Sequence, residues 1–230
     1  MATDKERRTT NWVFARMKLN VALSFIFSLV LMIDTACAAD SDDRVKWIVD
    51  GDTIVLVKGV KVRYIGINAP ELARDDHVAE PYAEEAKRFN DRLVKQKKVR
   101  LEFDVEPNDR FQRRLAYVFL EDGTFVNAEM LSQGYAYVLY IRPNVKYHAT
   151  LLAAQRAAMS GKRGIWHNWR EQNATYIGNK QSRRFHLPSC SSGKRIKSQN
   201  RVVFQKKWDA YWAGYAPAGR CMPVFTIPQD

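Results

Sequence analysis

Apolar and polar positions alternate over residues 44–57, interrupted at Asp50-Gly51, and this period of two predicts two strands joined by a tight turn. Val60 to Ile67 reads as a further strand. Asn68-Ala69-Pro70 ends it, because proline holds the residue before it extended and has no N–H for a ladder. Residues 71–81 show no apolar period and read as a loop. From Tyr82 to Gln96 the spacing becomes helical, with Ala86, Phe89, Leu93 and Val94 on one side and charges on the other. Val99 to Val105 alternates again. Leu115–Leu120 and Thr124–Val126 flank Glu121-Asp122-Gly123, which carries the residues of a hairpin turn. Asn127 is expected to cap a short helix that stops at Gly134, Tyr135 to Ile141 is aromatic and mixed, and Tyr147 to Ser160 reads as a helix closed by Gly161. Short strands with interposed helices predict an α+β fold, a barrel or a sandwich, with a small closed barrel of the OB type suiting the helical cover.

The texture changes near residue 170. Residues 171–201 are rich in Asn, Ser, Lys and Arg, and an aromatic cluster follows at Trp208, Tyr211, Trp212 and Tyr215. This reads as a second, small α/β unit over 170–230, whose core alone would be marginal without a covalent or metal staple.

At the other end, Leu19 to Ile33 is an almost unbroken apolar run of fifteen residues, short of the roughly 20 that span a bilayer. Arg16-Met17-Lys18 precedes it and Ala36-Cys37-Ala38 follows, so residues 1–38 have the positive start, apolar core and small-x-small end of a secretory signal peptide. Met17 could itself open that peptide. An uncleaved membrane anchor and a lipid-modified Cys37 are the alternative readings. Each of them places the functional part outside the cytoplasm, as a periplasmic, secreted or cell-envelope protein, with a membrane contact only where the segment is uncleaved. Cys190 and Cys221 then lie where disulfides persist.

A hydrophobic content of 46% is ordinary for a globular chain, but the net charge of +12 over 230 residues points to a polyanionic partner. The charge is unevenly spread. Residues 170–230 hold eleven basic and three acidic side chains, and 39–169 are left with only about +2.

Five side chains in the middle of the chain have the chemistry to cut a phosphodiester: Asp52, Arg63, Asn68, Glu71 and Arg113. Asp52 and Asn68 carry oxygens of the kind a hard cation takes. Glu71 can orient or deprotonate a water, and the two arginines can each grip phosphate oxygens through a planar fork. Taken singly, Asp-Gly-Asp is a turn, Asn-Ala-Pro a strand terminator, and the charges are solvated surface.

Together with their neighbours, however, residues 44–169 resemble the staphylococcal nuclease (thermonuclease-like) family. The resemblance is carried by Val49-Asp50-Gly51-Asp52-Thr53, Val62-Arg63-Tyr64-Ile65, Asn68-Ala69-Pro70-Glu71, Asp109-Arg110-Phe111-Gln112-Arg113-Arg114-Leu115-Ala116-Tyr117, Val126-Asn127, Gln133-Gly134 and Gly164-Ile165-Trp166. It implies a five-stranded OB-type barrel with about three helices over 39–169, and calcium-dependent hydrolysis of DNA and RNA with little sequence preference. It also implies catalytic roles for Arg63, Glu71 and Arg113, and metal ligation by Asp52, Asn68 and Ala69. Arg110, Phe111 and Tyr140 would touch nucleic acid. Asn68 stands where the founding member has an aspartate, so weaker calcium binding is expected. Phe111 replaces a tyrosine, Arg110 a lysine, and Arg142 a second tyrosine near the nucleotide.

The tail has a resemblance of its own. Tyr176 to Lys180, Phe185 to Cys190, Arg201 to Phe204 and Gly214 to Cys221 look like the small zinc-binding domain of the Ada DNA-repair family, which uses four cysteines. Here Cys190 and Cys221 match, and His186 could add a third ligand, leaving the set one short of zinc's usual four. A Cys190–Cys221 disulfide is the competing staple and the expected one, with Zn2+ the alternative. The tail would then be a basic nucleic-acid-holding surface that includes Arg183 and Arg184. The expected partners are DNA and RNA substrates, with no stable protein partner implied. A noncatalytic nucleic-acid-binding module on the same barrel, and an envelope-anchored adhesin, are the competing functional readings.

Overall fold

The computed structural model describes residues 43–74, 78–171, 174–219 and 221–222. The expected signal peptide or anchor lies outside these residues. No helix among the described residues is long and apolar enough to cross a membrane.

The alternation over 44–57 becomes β1 (Val45–Asp50) and β2 (Thr53–Leu56), which pair antiparallel, followed by β3 (Lys61–Tyr64) and the short β4 (Ile67–Asn68). Helix α1 (Ala83–Val94) forms where the period of 3.6 was legible, with Ala86 and Val94 buried and Glu84 and Glu85 in its first turn, the favourable end for negative charge. Strands β5 (Val99–Glu102) and β6 (Arg114–Leu120) complete a sheet of order β1-β2-β3-β6-β5. Its edges meet: Arg44 bridges Lys98, and the Val45 and Val99 amides donate to Lys97 and Asp43 carbonyls. The five strands thus curl toward closure around a core that includes Ile54, Val62, Ile67, Val118 and Met130. Helices α2 (Val126–Ser132) and α3 (His148–Ser160) and the short β7 (Tyr137–Val138), which pairs with β4, supply the cover. This is the expected α+β, OB-type architecture with three helices.

Two local expectations are corrected. The turn at Glu121-Asp122-Gly123 forms, with the Leu120 amide donating to the Thr124 carbonyl, but its second arm is cut short to the Phe119–Phe125 bridge, and Val126 already opens α2. Asn127 does not cap that helix, whose N-cap is Phe125. Fully buried, it donates from Nδ2 to the Ile65 carbonyl (2.9 Å) and accepts from the Val118 amide (2.9 Å), pinning α2 to the sheet. Leaving that buried amide unpaired would be costly, which fixes Asn127 in this place.

Beyond a 3₁₀ turn at Gly164–Trp166, the tail forms β8 (Tyr176–Asn179), β9 (Arg184–His186), α4 (Ser191–Lys194), β10 (Arg201–Phe204), α5 (Lys207–Trp212) and β11 (Ala216–Pro217). They make a four-stranded sheet of order β10-β8-β9-β11. Cys190 and Cys221 are joined in a disulfide. The tail does not have its core to itself. Tyr137, Met159, Ile165 and Trp166 share one buried cluster with Tyr176, Phe185, Tyr211 and Tyr215, and the described residues form one compact unit. The expected boundary at 169/170 runs through the middle of that cluster.

Candidate active site

The turn between β1 and β2 sets the first functional group. Asp50 is buried, and its Oδ1 accepts the Asp52 amide at 3.0 Å, folding the turn on itself. Asn90 of α1 holds the same turn from below, donating to the Asp50 carbonyl (3.0 Å) while its own oxygen accepts the Tyr64 hydroxyl (2.9 Å). Gly51 is required by close approach: a Cβ there would stand 2.5 Å from Ala69 Cβ and 2.8 Å from Ala86 Cβ.

The β2–β3 register pairs Thr53 with Arg63, which brings Arg63 beside Asp52. Arg63 Nη1 lies 2.8 Å from Asp52 Oδ2, and both side chains are largely buried. The same carboxylate oxygen accepts the Ala69 amide at 2.7 Å. Burial is the largest influence on Asp52 and raises its pKa, Arg63 opposes it, and Asp50 reinforces it, so the carboxyl is pushed up to about 7. Arg63 Nη2 reaches on to Asn68 Oδ1 at 2.9 Å. The Asn68 Nδ2 donates to the Ala69 carbonyl (3.1 Å) and to the Tyr137 hydroxyl (3.0 Å). Asp52, Arg63, Asn68 and Ala69 are therefore one connected cluster.

Glu71 stands at the exposed lip. Its amide donates to Glu80 Oε2 (2.9 Å), its carbonyl accepts the Glu80 amide (2.8 Å), and its carboxylate pairs with Arg74 at 3.2 Å. Such an exposed pair holds little energy and yields readily to another partner. Glu80, by contrast, is half-buried, and burial raises its pKa.

Across the cleft, Asp109 organises the other wall. It accepts the amides of Phe111 (2.9 Å) and Arg113 (3.0 Å) through Oδ1, and Arg113 Nε at 2.7 Å through Oδ2. Burial raises the Asp109 pKa, but these bonds outweigh it and the net shift is downward, so Asp109 stays ionised beside Arg113. Gln112 adopts a left-handed φ of 61° in this tight loop, a conformation that non-glycine residues take at some cost. Arg110 stacks over the Phe111 ring at 4.7 Å, and that ring is 64% exposed, available as a flat platform.

Asp52, Arg63, Asn68, Glu71, Arg110, Phe111 and Arg113 all line one cleft of about 520 Å³. Ala69 is buried just behind it. Tyr140 is not in its wall: it stacks edge-on against His148 at 4.9 Å and accepts Arg142 Nε at 2.8 Å, while its neighbours Ile141 and Arg142 take the wall positions. Arg183 and Arg184 belong to the tail and are not among the residues that line the cleft. Arg183 sits 5.1 Å over the Tyr215 ring, and Arg184 is half-buried, its pKa lowered by burial and supported by Tyr137.

His186 Nδ1 is 3.4 Å from Cys190 Sγ and 3.9 Å from Cys221 Sγ. The three expected staple residues are thus together, and the two sulfurs are spent on each other in the disulfide.

Asp50, Glu80, Asp109 and Tyr137 were given no role in the sequence, yet they support the site. Asp109 had a local signal, since an aspartate two and four residues before donors makes an Asx turn. Tyr137 had none, because it reaches Asn68 only through the β4–β7 register, Asn68↔Tyr137.

The sequence profile of the family described as "Staphylococcal nuclease homologue" matches residues 61–168, beginning at β3, so that Asp52 lies ahead of the match. The thermonuclease of Staphylococcus hyicus is 39% identical over 124 residues, covering 53% of this chain and 73% of that protein. The thermonuclease of Staphylococcus intermedius is 37% identical over 125 residues, 53% of this chain and 74% of its own length. Endonuclease YncB of Bacillus subtilis is 39% identical over 123 residues, 51% and 58% of the two chains. With the OB-type sheet, the paired arginines and nearly three-quarters of each thermonuclease covered, the chain belongs to the staphylococcal nuclease homologue family.

Proposed function

We propose that this protein is a nuclease that hydrolyses phosphodiester bonds of DNA and RNA with calcium in the cleft. The observation that carries the reading is the Asp52–Arg63–Asn68 cluster lining one open cleft together with Glu71 and Arg113.

The donor set fits calcium. Asp52, Asn68 and the Ala69 carbonyl offer only hard oxygens, and a buried carboxylate whose pKa is pushed up to about 7 gains from a nearby cation. Calcium held there would draw electron density from a bound phosphate and offset the charge that builds as water attacks. Arg63, already held on Asp52 and Asn68, would grip a phosphate oxygen from one side. Arg113, with its Nε anchored by Asp109, presents its Nη pair from the other, where charge moves to the leaving oxygen. Glu71, whose carboxylate pairs with exposed Arg74, would accept the proton from water. Phe111 offers a face for stacking any base, which is consistent with low sequence preference. The basic tail would add nonspecific hold on the polyanion, in proportion to its charge.

Residues 1–38 support export, and a disulfide in the tail is at home in an oxidising compartment. The test is digestion of plasmid DNA and of a structured RNA by the purified protein, with calcium, with a calcium chelator, and with calcium restored. Cleavage of both polymers that is lost and regained supports the reading. Salt-sensitive binding with no product at any calcium concentration would leave a noncatalytic binding module instead.

A further inference from the structure

Asn68 is the weakest of the expected cation ligands, because a carboxamide is neutral and can turn over, exchanging its oxygen for a nitrogen that binds no cation. Its surroundings remove that freedom. Arg63 has only donors, so its Nη2, 2.9 Å away, selects the Asn68 oxygen. On the other side the amide hydrogens are taken by two oxygens, the Ala69 carbonyl and the Tyr137 hydroxyl. Turning the amide over would set a nitrogen against Arg63 and an oxygen against the Ala69 carbonyl, two mismatches at once.

Tyr137 is itself firmly placed. It is directly opposite Asn68 in the β4–β7 pair and only 3% exposed. Its ring meets Tyr211 edge-on at 5.6 Å. The next residue, Val138, donates its amide to Gln155 Oε1 (2.6 Å), and Gln155 Nε2 donates to the Tyr211 carbonyl (2.6 Å). A fully buried Gln155 thereby ties β7 to α5.

We propose that Tyr137 is a positioning residue of the cleavage site: its hydroxyl accepts from Asn68 Nδ2 and holds in place the carboxamide whose oxygen end Arg63 and the Ala69 carbonyl select, and the tail unit holds Tyr137 from behind through Tyr211. The proposal rests on the reading of Asn68 as a calcium ligand and adds to it a residue that never touches cation or substrate.

Tyr137→Phe removes only the hydroxyl and keeps the ring against Tyr211. Calcium affinity is measured by calorimetry without nucleic acid, in wild type, Tyr137→Phe, Asn68→Ala and the double variant. Loss of one such hydrogen bond should weaken calcium binding about fivefold. In the Asn68→Ala background the same change should have no further effect, because its target is gone. At saturating calcium, Tyr137→Phe should keep kcat within about twofold, separating cation placement from chemistry. Unchanged affinity in Tyr137→Phe would overturn the positioning role alone. So would an equal loss with and without Asn68, which marks a merely structural effect. Failure of the wild type to bind calcium would overturn the calcium reading as well.

Discussion

Removing residues 170–230 tests whether the tail is an accessory or a part of the enzyme's core. Were it a separate module, cleavage would survive its loss and only the hold on nucleic acid would weaken. The packing predicts otherwise. Trp166 is fully buried, with Tyr211 at 5.1 Å and Trp208 at 5.9 Å as edge-on neighbours, both supplied by α5. Tyr137, Met159 and Ile165 are 3%, 1% and 5% exposed in the same cluster. Full burial of a large apolar side chain is worth about 1.5–3 kcal/mol, so uncovering half of each of these four costs roughly 3–6 kcal/mol. Set against a typical stability of about 5–15 kcal/mol, that is enough to leave the truncated chain marginal, with Tm lower by roughly 10–25 °C. The assay is thermal unfolding followed by circular dichroism, beside cleavage of a short duplex at 20 °C and 37 °C. The truncated protein should show the lower Tm and, at 37 °C, at most a few per cent of the wild-type rate. A truncated protein with the wild-type Tm and rate would refute this account of the shared core.

Asn68→Asp should tighten calcium binding about tenfold or more, since it adds a charge among the oxygen ligands, and calorimetry without substrate would show it. Calcium binding should also depend on pH. With Asp52 pushed up to about 7, the cation displaces a proton below that pH and none well above it. Affinity should therefore fall by up to about tenfold per unit as pH drops below 7, and calorimetry in buffers of different ionisation enthalpy would report the released proton. In the tail, a reductant should lower Tm, because closing a loop of this size by a disulfide contributes about 3 kcal/mol, whereas a zinc chelator should leave it unchanged.

How far the site was legible from the chain follows from how each residue reaches it. Asp52, Arg63, Asn68 and Glu71 fall within twenty residues on consecutive strands and turns, close enough in sequence for the family resemblance to bring them together as one set. Arg113 was legible through the Asp109-Arg110-Phe111-Gln112-Arg113-Arg114 motif that carries the family resemblance, whereas the parallel β3–β6 pairing that carries it to the cleft leaves no local pattern. Tyr137 and Gln155 act through tertiary register and helix packing, which leave no local period to read. Asn127 looked like a helix cap because asparagine favours that position, and only the buried sheet edge beneath it shows its actual duty. The tail is a different case. Its change of composition near residue 170 is real, but composition reports what faces solvent, and the aromatic residues within it were turned inward onto Trp166 and Tyr137.

The central claim, that this cleft cuts phosphodiesters with Glu71 acting on water, is tested most directly by single-turnover cleavage of a labelled duplex under saturating calcium, comparing wild type with Glu71→Gln. Glu71 is exposed and its side chain pairs only with Arg74 among the described residues, so the substitution should leave Tm and calcium affinity unchanged. The account predicts a loss of about 10²–10⁴ in the cleavage rate, the range for a positioned general base. A rate within twofold of wild type would contradict it.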